Sequence, residues 1–476
     1  MKMNSNHFYG KMGLVLAASA WIGISNPMSV PAAVKFLPGV TAEMSNPSYW
    51  VRDLTGTDDI LADSSRIASL NQKIRASEGS NMFDLDSMSA TFNAAELTAK
   101  IRESTRKELA AYATGGNYAA DGSVMTQEML DPVIENCFDP TATASQSRGY
   151  GICVKRTDIR AYPSSMIIAD DPGDNDFDNG VLSALLVNEP VRINFRSADG
   201  AWLYITSELV AGWVKTEDIA ICHSRNEWKS AWDIAAPTRV VVTAGKVYLE
   251  ESQTNPDISE TMLTMGTILE AADTTGGGLV ANRSPYQNYP VYIPVRQADG
   301  TYAKKKALIS QHNAVSEGYL PLTTNNILKT AYSMLGDTYG WGGMLSSVDC
   351  SFYIRNIYRC FGLNIARNTS WQASMPVHNI ELEGKSDSEK QAILDSLKPG
   401  ATLFFKGHEM MYLGEVRGRH FVLSAVSSMR QPSGTGKLRV RSVVVSSLED
   451  TYRMNGLSWL ASLYRAQIPY EEPKTE

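Results

Sequence analysis

The chain has 476 residues, which at about 150 residues a domain predicts about three domains. Hydrophobic residues make up 43% and charged residues 20%, so full-length disorder, collagen-like or coiled-coil folds and a small disulfide-stapled fold are excluded. The net charge of -7 argues against a dedicated nucleic-acid binder. The five cysteines are an odd number, so at least one thiol cannot pair within the chain.

The N-terminus has the pattern of a secretory signal peptide. Lys2 and Lys11 precede an apolar run at 12–24, and small residues follow at 30–33. The run is shorter than the about 20 apolar residues that span a bilayer; a short membrane anchor or a buried helix is the alternative. We expect residues 1–33 to be removed, which leaves 42 basic and 51 acidic residues, a net charge of -9. The pattern predicts a periplasmic or secreted protein with no membrane span.

A helical segment precedes two β segments. Residues 34–148 carry apolar residues at helical spacing, so we expect a helical N-terminal module there. Residues 149–235 and 236–318 show short alternating strands with Asp-Gly turn signals, and each predicts a small β-barrel. An internal repeat links them: PVRINFRSADG at 190–200 and PVYIPVRQADG at 290–300 agree at seven of eleven positions. Chance similarity of two Asp-Gly hairpins is the alternative.

The last segment, residues 319–476, begins with helices and ends with strands, which predicts an α+β domain. Asp349 is a natural N-cap before apolar residues at helical spacing, so Cys350 falls in the first turn of a helix. There the positive end of the helix dipole stabilises a thiolate and lowers the thiol pKa. His408 opens a downstream strand after Gly407 and is the candidate base. Alone, a structural cysteine or a loop histidine is the commoner interpretation; the combination predicts a catalytic pair.

Five ordered segments of this domain resemble one enzyme family. They are YGWGG at 339–343, DCS at 349–351, RNTSWQ at 367–372, LKPG at 397–400 and GHEMMYLG at 407–414. These segments are similar to the NlpC/P60 cysteine peptidases, a papain-like family, and the whole layout resembles its four-domain members.

The resemblance implies a multidomain fold: a helical N-terminal module, two small SH3-like β-barrels and an α+β papain-like NlpC/P60 domain. It also implies hydrolysis of the γ-D-glutamyl–diamino acid bond of peptidoglycan stem peptides, with no metal or other cofactor. In such relatives the first SH3-like barrel helps wall the active site and restricts it to peptides with a free N-terminal amine. We expect a monomer with peptidoglycan stem peptides as partners and no nucleic acid.

Carried over to this sequence, the resemblance makes Cys350 the nucleophile and His408 the general base and later acid. The third catalytic position departs from the family, in which it is usually histidine. If the hairpin that follows His408 is used for the alignment, that position is Ser424. If residues are counted along the chain from His408, as in shorter relatives, it is His420. We favour Ser424 because a Gly-containing turn sets the register of the next strand. A serine hydroxyl can still accept a hydrogen bond from an imidazole.

The resemblance also implies a substrate pocket. Asp349 would contact the substrate amine, and Ser351 and Trp341 would line the pocket. Asn368 and Thr369 match a place where relatives commonly have Asp-Ser, so this chain lacks one carboxylate for the amine.

The departures at Ser424, Asn368 and Phe352 motivate a competing function, a non-catalytic murein-binding protein that would use the two barrels to bind stem peptides. A third hypothesis is an acyltransferase or amidase that uses the same nucleophile. The sequence lacks the Gly-x-Ser-x-Gly motif of serine hydrolases and the Cys-x-x-Cys and His-Glu-x-x-His motifs of zinc sites.

Of the other cysteines, Cys137 and Cys153 are candidates for a disulfide that would join the N-terminal module to the first barrel. An exported chain would permit such a bond. The pairing of Cys222 is left open, and Cys360 is expected in the core of the Cys350 helix.

Overall fold

The computed structural model describes residues 34–275 and 278–474. The predicted signal peptide, residues 1–33, lies outside the described residues. Residues 37–476 make up one compact unit. Within the described ranges, no helix has the length and apolarity that a membrane crossing requires.

The start of the N-terminal segment contacts the C-terminal region. Trp50 Nε1 donates to the Tyr332 hydroxyl, and that hydroxyl donates to Met44 O at 2.9 Å, so the start of the segment packs on the C-terminal region. Helices take up less than half of the predicted helical module, because polar loops separate them. The elements are α1 Ser64–Ala76, β1 Thr91–Phe92, α2 Ala94–Gly115, α3 Gln127–Asn136, β2 Gln146–Ser147 and the 3-10 turns Ala42–Ser45, Pro47–Trp50 and Glu78–Ser80.

The first β unit, which we define as residues 149–222, forms one antiparallel sheet. Its strands are β3 Gly149–Cys153, β4 Thr157–Arg160, β5 Val181–Leu185, β6 Pro190–Arg196, β7 Trp202–Thr206, β8 Ala211–Lys215 and β9 Ile219–Cys222, with a 3-10 turn at Thr216–Asp218. Their order in the sheet is β5-β4-β8-β7-β6-β3-β9. Helix α4, Arg225–Trp232, follows the sheet, and the Ser224 side chain caps it.

The second β unit, residues 239–317, contains a five-stranded antiparallel sheet and a separate two-stranded ribbon. A 3-10 turn at Ala236–Thr238 leads into it, and its strands are β10 Arg239–Val242, β11 Lys246–Tyr248, β12 Met262–Thr264, β13 Ile268–Ala271, β14 Asn288–Arg296, β15 Tyr302–Ser310 and β16 Val315–Glu317. The sheet order is β15-β14-β13-β10-β16, and β11 pairs with β12.

The internal repeat of the sequence corresponds to a repeated hairpin. The strand pairs β6–β7 and β14–β15 enclose turns of the same form. Asp199 Oδ1 accepts from Ala201 N at 2.9 Å, and Asp299 Oδ1 accepts from Thr301 N at 2.9 Å. Each aspartate therefore closes its own turn through the backbone two residues on, as Asx turns do.

The C-terminal region places helices against both faces of a six-stranded antiparallel sheet. The helices are α5 Thr324–Tyr332, α6 Cys350–Arg359, α7 Thr369–Gln372, α8 Asp387–Leu394 and α9 Trp459–Ser462, with a 3-10 turn at Trp341–Gly343; the strands are β17 His378–Glu381, β18 Thr402–Phe405, β19 His408–Val416, β20 Arg419–Arg430, β21 Lys437–Ser447 and β22 Arg465–Ile468. The sheet order is β17-β22-β18-β19-β20-β21. Every side chain of α6 is buried, since the helix lies between this sheet and the first β unit.

The predicted Cys137–Cys153 disulfide is wrong, since both thiols are free. Cys137 packs among aromatic side chains of the first β unit and donates to Val133 O at 3.3 Å. Cys153 lies in the main core and donates to Lys155 O at 3.0 Å. Each thiol therefore bonds to the backbone of its own segment, and the two lie in different hydrophobic clusters.

Candidate active site

A cavity of about 1120 Å³ lies between the first β unit and the C-terminal region. We call it the cleft. The predicted site residues that line it are Trp341, Asp349, Cys350, Ser351, Asn368, Thr369 and His408. The fold thus brings together seven side chains that are spread over 68 positions of the sequence, from the loop before α6 to the start of β19.

Cys350 is the first residue of α6, because the N-cap residue Asp349 starts the helix there. Asp349 has extended backbone geometry, and its Oδ1 accepts from Phe352 N at 2.8 Å. The chain therefore turns into the helix at Cys350. The buried Cys350 Sγ lies 3.6 Å from Thr369 Oγ1, at the edge of the cleft.

The expectation of a lowered thiol pKa is wrong for this arrangement. Burial raises the pKa of Cys350 to about 12, and the negative charge of Asp349 acts in the same direction. The Thr369 hydroxyl opposes this rise by hydrogen bonding to the sulfur. Since desolvation disfavours the charged form, Cys350 rests as a thiol at neutral pH.

His408 is half-buried between two aromatic rings. Its ring centroid lies 5.2 Å from those of Phe405 and Trp459, and its Nε2 lies 3.1 Å from Ser424 Oγ. Burial lowers the pKa of His408 to about 3, with the positive charge of Arg453 as a second cause. The imidazole is therefore neutral at pH 7, the state in which it can accept a proton.

The two alternatives for the third position lie in different surroundings. Ser424, fully buried on β20, contacts the imidazole of His408. His420 instead lies between two carboxylates, with Nδ1 2.8 Å from Glu449 Oε1 and Nε2 3.0 Å from Asp395 Oδ1. Of the two, Ser424 has the geometry that could orient His408.

Asp349 is held by a buried ion pair that the sequence reading did not single out. Arg367, 1% exposed, donates to both carboxylate oxygens of Asp349, at 3.1 and 2.7 Å. Oδ1 also accepts from Ser351 Oγ at 3.3 Å, and Oδ2 from Gly342 N at 3.1 Å. The guanidinium lies over the Phe352 ring, 4.6 Å from its centroid. Asp349 therefore already has several protein donors, and its contact with a substrate amine stays a prediction.

The first β unit provides one wall of the cleft. Arg367 Nε donates to Ser183 Oγ on β5 at 2.8 Å, which ties the ion pair to that unit. Trp341 stacks on Phe177 with ring centroids 4.9 Å apart, and Trp341 remains 37% exposed at the rim. At Gly342, φ is +61°, and an added Cβ would lie 2.6 Å from Val181 O, so only glycine allows this close approach.

Ion pairs hold the loop that carries Phe177. Asp171 Oδ2 lies 2.8 Å from an Arg439 nitrogen and 3.3 Å from Lys437 Nζ, and Asp174 Oδ2 lies 2.7 Å from an Arg441 nitrogen. The three cations lie on β21 of the C-terminal region. We call these contacts the loop clamp. Sequence reasoning could note the acidic loop and the basic strand, but not that the fold places them together.

Glu409, the residue after His408, is a second feature that sequence reasoning missed. It is fully buried, and neither carboxyl oxygen has a hydrogen-bond partner in the described part of the chain. Burial raises the pKa of Glu409 well above its ordinary value, and the negative charge of Asp349 adds to this. Its surroundings therefore favour the protonated, uncharged carboxyl group. A glutamate within an apolar strand was the signal that could have revealed it.

Comparison with known proteins gives two family matches. An NlpC/P60 family profile matches residues 336–436, and a profile of SH3 domains of the SH3b1 type matches residues 169–215. Dipeptidyl-peptidase 6 of Lysinibacillus sphaericus is 30% identical over 91 residues, which is 19% of this chain and 29% of that protein. The match therefore spans less than a third of that relative's length.

Solved structures also resemble the chain. An NlpC/P60 endopeptidase from Photobacterium damselae subsp. piscicida has a TM-score of 0.72 at 19% identity, covering 93% of this chain and 99% of that one. An NlpC/P60 family protein from Bacillus cereus ATCC 10987 has a TM-score of 0.41 at 17% identity, covering 61% of this chain and 83% of that one.

The fold and these matches define a multidomain mixed α/β protein with an SH3-like domain. Residues 336–436 match the profile of the NlpC/P60 family, whose members are cysteine peptidases.

Proposed function

We propose that the protein is an exported cysteine endopeptidase that hydrolyses the γ-D-glutamyl–diamino acid bond of peptidoglycan stem peptides. The observation that carries the proposal is the shared cleft of Cys350, at the start of α6, and His408, whose imidazole contacts Ser424, inside an NlpC/P60 domain. One relative is named a dipeptidyl-peptidase, and cleavage after γ-D-glutamate of L-Ala-γ-D-Glu peptides would also release a dipeptide.

The proposed reaction starts from a neutral pair. His408 takes the proton of the Cys350 thiol as the sulfur attacks the γ-carbonyl carbon, and a tetrahedral oxyanion forms. The backbone N–H groups of Cys350 and Ser351, at the start of α6, would donate to that oxyanion. The C–N bond then breaks, the imidazolium protonates the leaving amine, and a thioester remains. Water, deprotonated by His408, attacks the thioester and releases the carboxylic acid and the thiol.

Ser424 and Arg367 would act through other residues. The Ser424 hydroxyl would orient the imidazole, and Arg367 would fix Asp349 and with it the start of α6. The cleft also contains Lys406 and Arg453 beside His408, and these cations suit the carboxylates of a glutamyl–diamino acid peptide. Trp341, Asn368 and Thr369 would contact the rest of the peptide.

The test is hydrolysis of L-Ala-γ-D-Glu-diaminopimelate by the wild-type protein and by Cys350→Ala, with product masses. We expect L-Ala-D-Glu and free diaminopimelate from the wild type alone. Cys360→Ala, which removes another buried thiol of the same helix segment, is the matched control and should keep its turnover. Equal turnover by wild type and Cys350→Ala would exclude the proposed nucleophile.

The second candidate is a murein-peptide-binding protein with little or no turnover. A specific observation favours it: the Cys350 thiol has a pKa raised to about 12, and the partner of His408 is a serine hydroxyl. Such a protein would bind the tripeptide with the same affinity before and after Cys350→Ala and would release no product. The mass assay above separates the two candidates.

We further propose the finer organisation that the resemblance implies. Residues 34–148 would stabilise the chain as an N-terminal module, residues 236–318 would be a second SH3-like domain, and the protein would act as a monomer. The repeated hairpin supports the second SH3-like domain. N-terminal sequencing of exported protein tests the cut near residue 33, and light scattering tests the oligomeric state.

A further inference from the structure

A short hairpin at residues 452–458, between β21 and α9, places a cation at the cleft. Arg453 N donates to Leu457 O at 2.9 Å, which closes the hairpin. The hairpin leads directly into Trp459, the first residue of α9, whose ring centroid lies 5.2 Å from that of His408. The backbone therefore holds Arg453 in a closed turn next to the surroundings of the imidazole.

The guanidinium of Arg453 is held in place, but most of its donors are unused. Its Cζ lies over the Phe405 ring, 4.8 Å from the centroid, and the His408 ring lies 5.2 Å from the same ring. Its Nη2 donates to Lys406 O at 3.2 Å, the one hydrogen bond of the guanidinium within the described ranges. A guanidinium has five N–H donors. Because Arg453 is half-buried and lines the cleft, the remaining donors are accessible to a ligand there.

The charged side chains of the cleft leave an excess of one cation. They are Asp349, Arg367, Glu383, Lys406 and Arg453. Asp349 and Arg367 neutralise each other in their buried pair. The exposed Glu383 is then the single carboxylate beside two cations, and neither Lys406 nor Arg453 forms an ion pair with a carboxylate of the described residues. The free charge of the cleft therefore favours an anionic group on the substrate.

The place of Arg453 near His408 decides which substrate carboxylate it suits. In the proposed reaction the imidazolium protonates the leaving amine, so the leaving nitrogen lies next to His408. The carbon bonded to that nitrogen also carries a carboxyl group of the diamino acid. The free carboxyl group of the D-glutamate lies at the far end of the acyl side instead. The carboxylate of the leaving group is therefore the nearer one to Arg453, whose planar fork matches a carboxylate through two parallel N–H bonds.

We propose that Arg453 binds the free carboxylate of the leaving diamino acid, so that the protein prefers peptides that end at this residue. This inference rests on the proposed function and names the substrate class within it. In a longer stem peptide the same carboxyl group forms a peptide bond and carries no charge, so the ion pair with Arg453 is lost. Peptides that end at the diamino acid arise when a carboxypeptidase removes the residues beyond it. The protein would therefore act after a reaction of that class.

The experiment compares L-Ala-γ-D-Glu-diaminopimelate, the acid, with the same peptide whose carboxyl group beside the scissile bond is an amide. We expect wild-type kcat/KM for the acid to be at least about tenfold above that for the amide. Arg453→Gln should lower kcat/KM for the acid at least about tenfold and leave that for the amide within about twofold. A purely structural loss would lower both peptides alike. Arg417→Gln removes the same charge from an exposed turn that does not line the cleft, and it should keep the preference.

Calorimetric titration of Cys350→Ala with both peptides tests the same contact without turnover. We expect Cys350→Ala to bind the acid at least about tenfold more tightly than the amide, and the added Arg453→Gln substitution to make the two affinities equal. Equal affinities of Cys350→Ala for acid and amide, an unchanged preference in Arg453→Gln, or a lost preference in Arg417→Gln would overturn the proposal. No hydrolysis by the wild type together with acid-selective binding by Cys350→Ala would count against the proposed function and leave the contact of Arg453 with the carboxylate standing.

Discussion

Two places in the C-terminal region each combine a histidine with a glutamate, and they shift the pKa values of these groups in opposite directions. On β19, His408 has the Ser424 hydroxyl as its polar partner, and Glu409 beside it has none in the described structure. On the neighbouring strand β20, His420 contacts the carboxylate of Glu449 at 2.8 Å. Both places are largely buried, so burial alone does not explain the difference.

The hydrogen-bond partners of the two histidines explain the difference between their pKa values. Burial lowers the pKa of His408 and raises that of Glu409, so it favours the uncharged form of both. At His420 burial acts in the same direction as at His408, but hydrogen bonds to Glu449 and Asp395 outweigh it and raise the pKa. The pKa of Glu449 is lowered because its hydrogen bonds with His420 outweigh its own burial. We call the His408–Glu409 pair the neutral stretch, since burial favours its uncharged forms, and the His420–Glu449 pair the charged stretch, since its hydrogen bonds favour the charged forms. We expect the neutral stretch to serve the reaction and the charged stretch to hold the fold.

Replacing each histidine should separate these roles most strongly. We expect His408→Ala to lower kcat/KM about 10³-fold, because a general base contributes two to four orders of magnitude. His420→Gln should leave kcat/KM within about twofold, since its imidazole contacts carboxylates away from Cys350. The measurement is peptide hydrolysis with matched protein concentrations. Similar losses of kcat/KM in both variants would contradict a catalytic role for the neutral stretch and a structural role for the charged stretch.

Removing the charge of Glu449 should expose the pH dependence of the charged stretch. The folded-state pKa of His420 is raised, so its contribution to stability is present below 6.5 and is lost as the pH rises through the folded value. The folded-state pKa of Glu449 is lowered, so its contribution is present above 4.5 and is lost as the pH falls. We expect Glu449→Gln to lower the free energy of unfolding by about 2 kcal/mol near pH 6 and by less at pH 9, measured by urea titration.

Asp395→Asn is the control for that variant. Asp395 contacts the same imidazole but is 60% exposed, so its loss should cost less than about 1 kcal/mol. Equal costs for the two substitutions, or a cost independent of pH, would contradict the assignment of Glu449 as the main partner.

Removing the hydroxyl of Ser424 tests the neutral stretch with a smaller change. We expect Ser424→Ala to lower kcat about fivefold with little change in KM, because one hydrogen bond of about 1 kcal/mol orients the imidazole. Ser446→Ala on β21 is the matched control: Ser446 is fully buried too, and its hydroxyl has no partner in the described structure. An equal fall of kcat in the control would show that any buried serine of the sheet has this effect.

Replacing Glu409 with methionine should give the smallest effect. The folded-state pKa of Glu409 is raised, so the folded chain holds a proton that the unfolded chain releases above 4.5, and stability falls as the pH rises. We expect Glu409→Met to raise the free energy of unfolding by about 1 kcal/mol at pH 6 and by more at pH 8. Glu415→Met, at an exposed position of the same strand, should change it by less than about 0.5 kcal/mol. A Glu409→Met effect that does not grow with pH would contradict a neutral Glu409.

Local patterns were enough to predict the main elements. The N-cap aspartate and the helical spacing place α6 correctly at Cys350, and the Asp-Gly signals place both repeated hairpins. The hairpin after His408 also sets the register that brings Ser424 to the imidazole. These features depend on neighbours within about twenty residues of the chain.

Other features depend on contacts between distant segments and could not be predicted. The pairing of Arg367 with Asp349 and Ser183 needs the first β unit to dock on α6. The raised thiol pKa of Cys350 follows from its burial in the folded chain, which the local pattern at the helix start does not show. The prediction of a Cys137–Cys153 disulfide was wrong for the same reason. No local pattern shows which hydrophobic cluster of the folded chain a cysteine joins.

The loop clamp combines exposed and buried ion pairs, which respond differently to salt. Asp171, Lys437 and Arg439 are more than 40% exposed, whereas Asp174 and Arg441 are mostly buried. Screening shortens from about 10 Å at 0.1 M salt to about 3 Å at 1 M and acts most on exposed pairs. At high salt we therefore expect the exposed pairs of Asp171 to weaken, while the mostly buried Asp174–Arg441 pair keeps its contact. The position of Phe177 at the rim of the cleft would then respond to ionic strength.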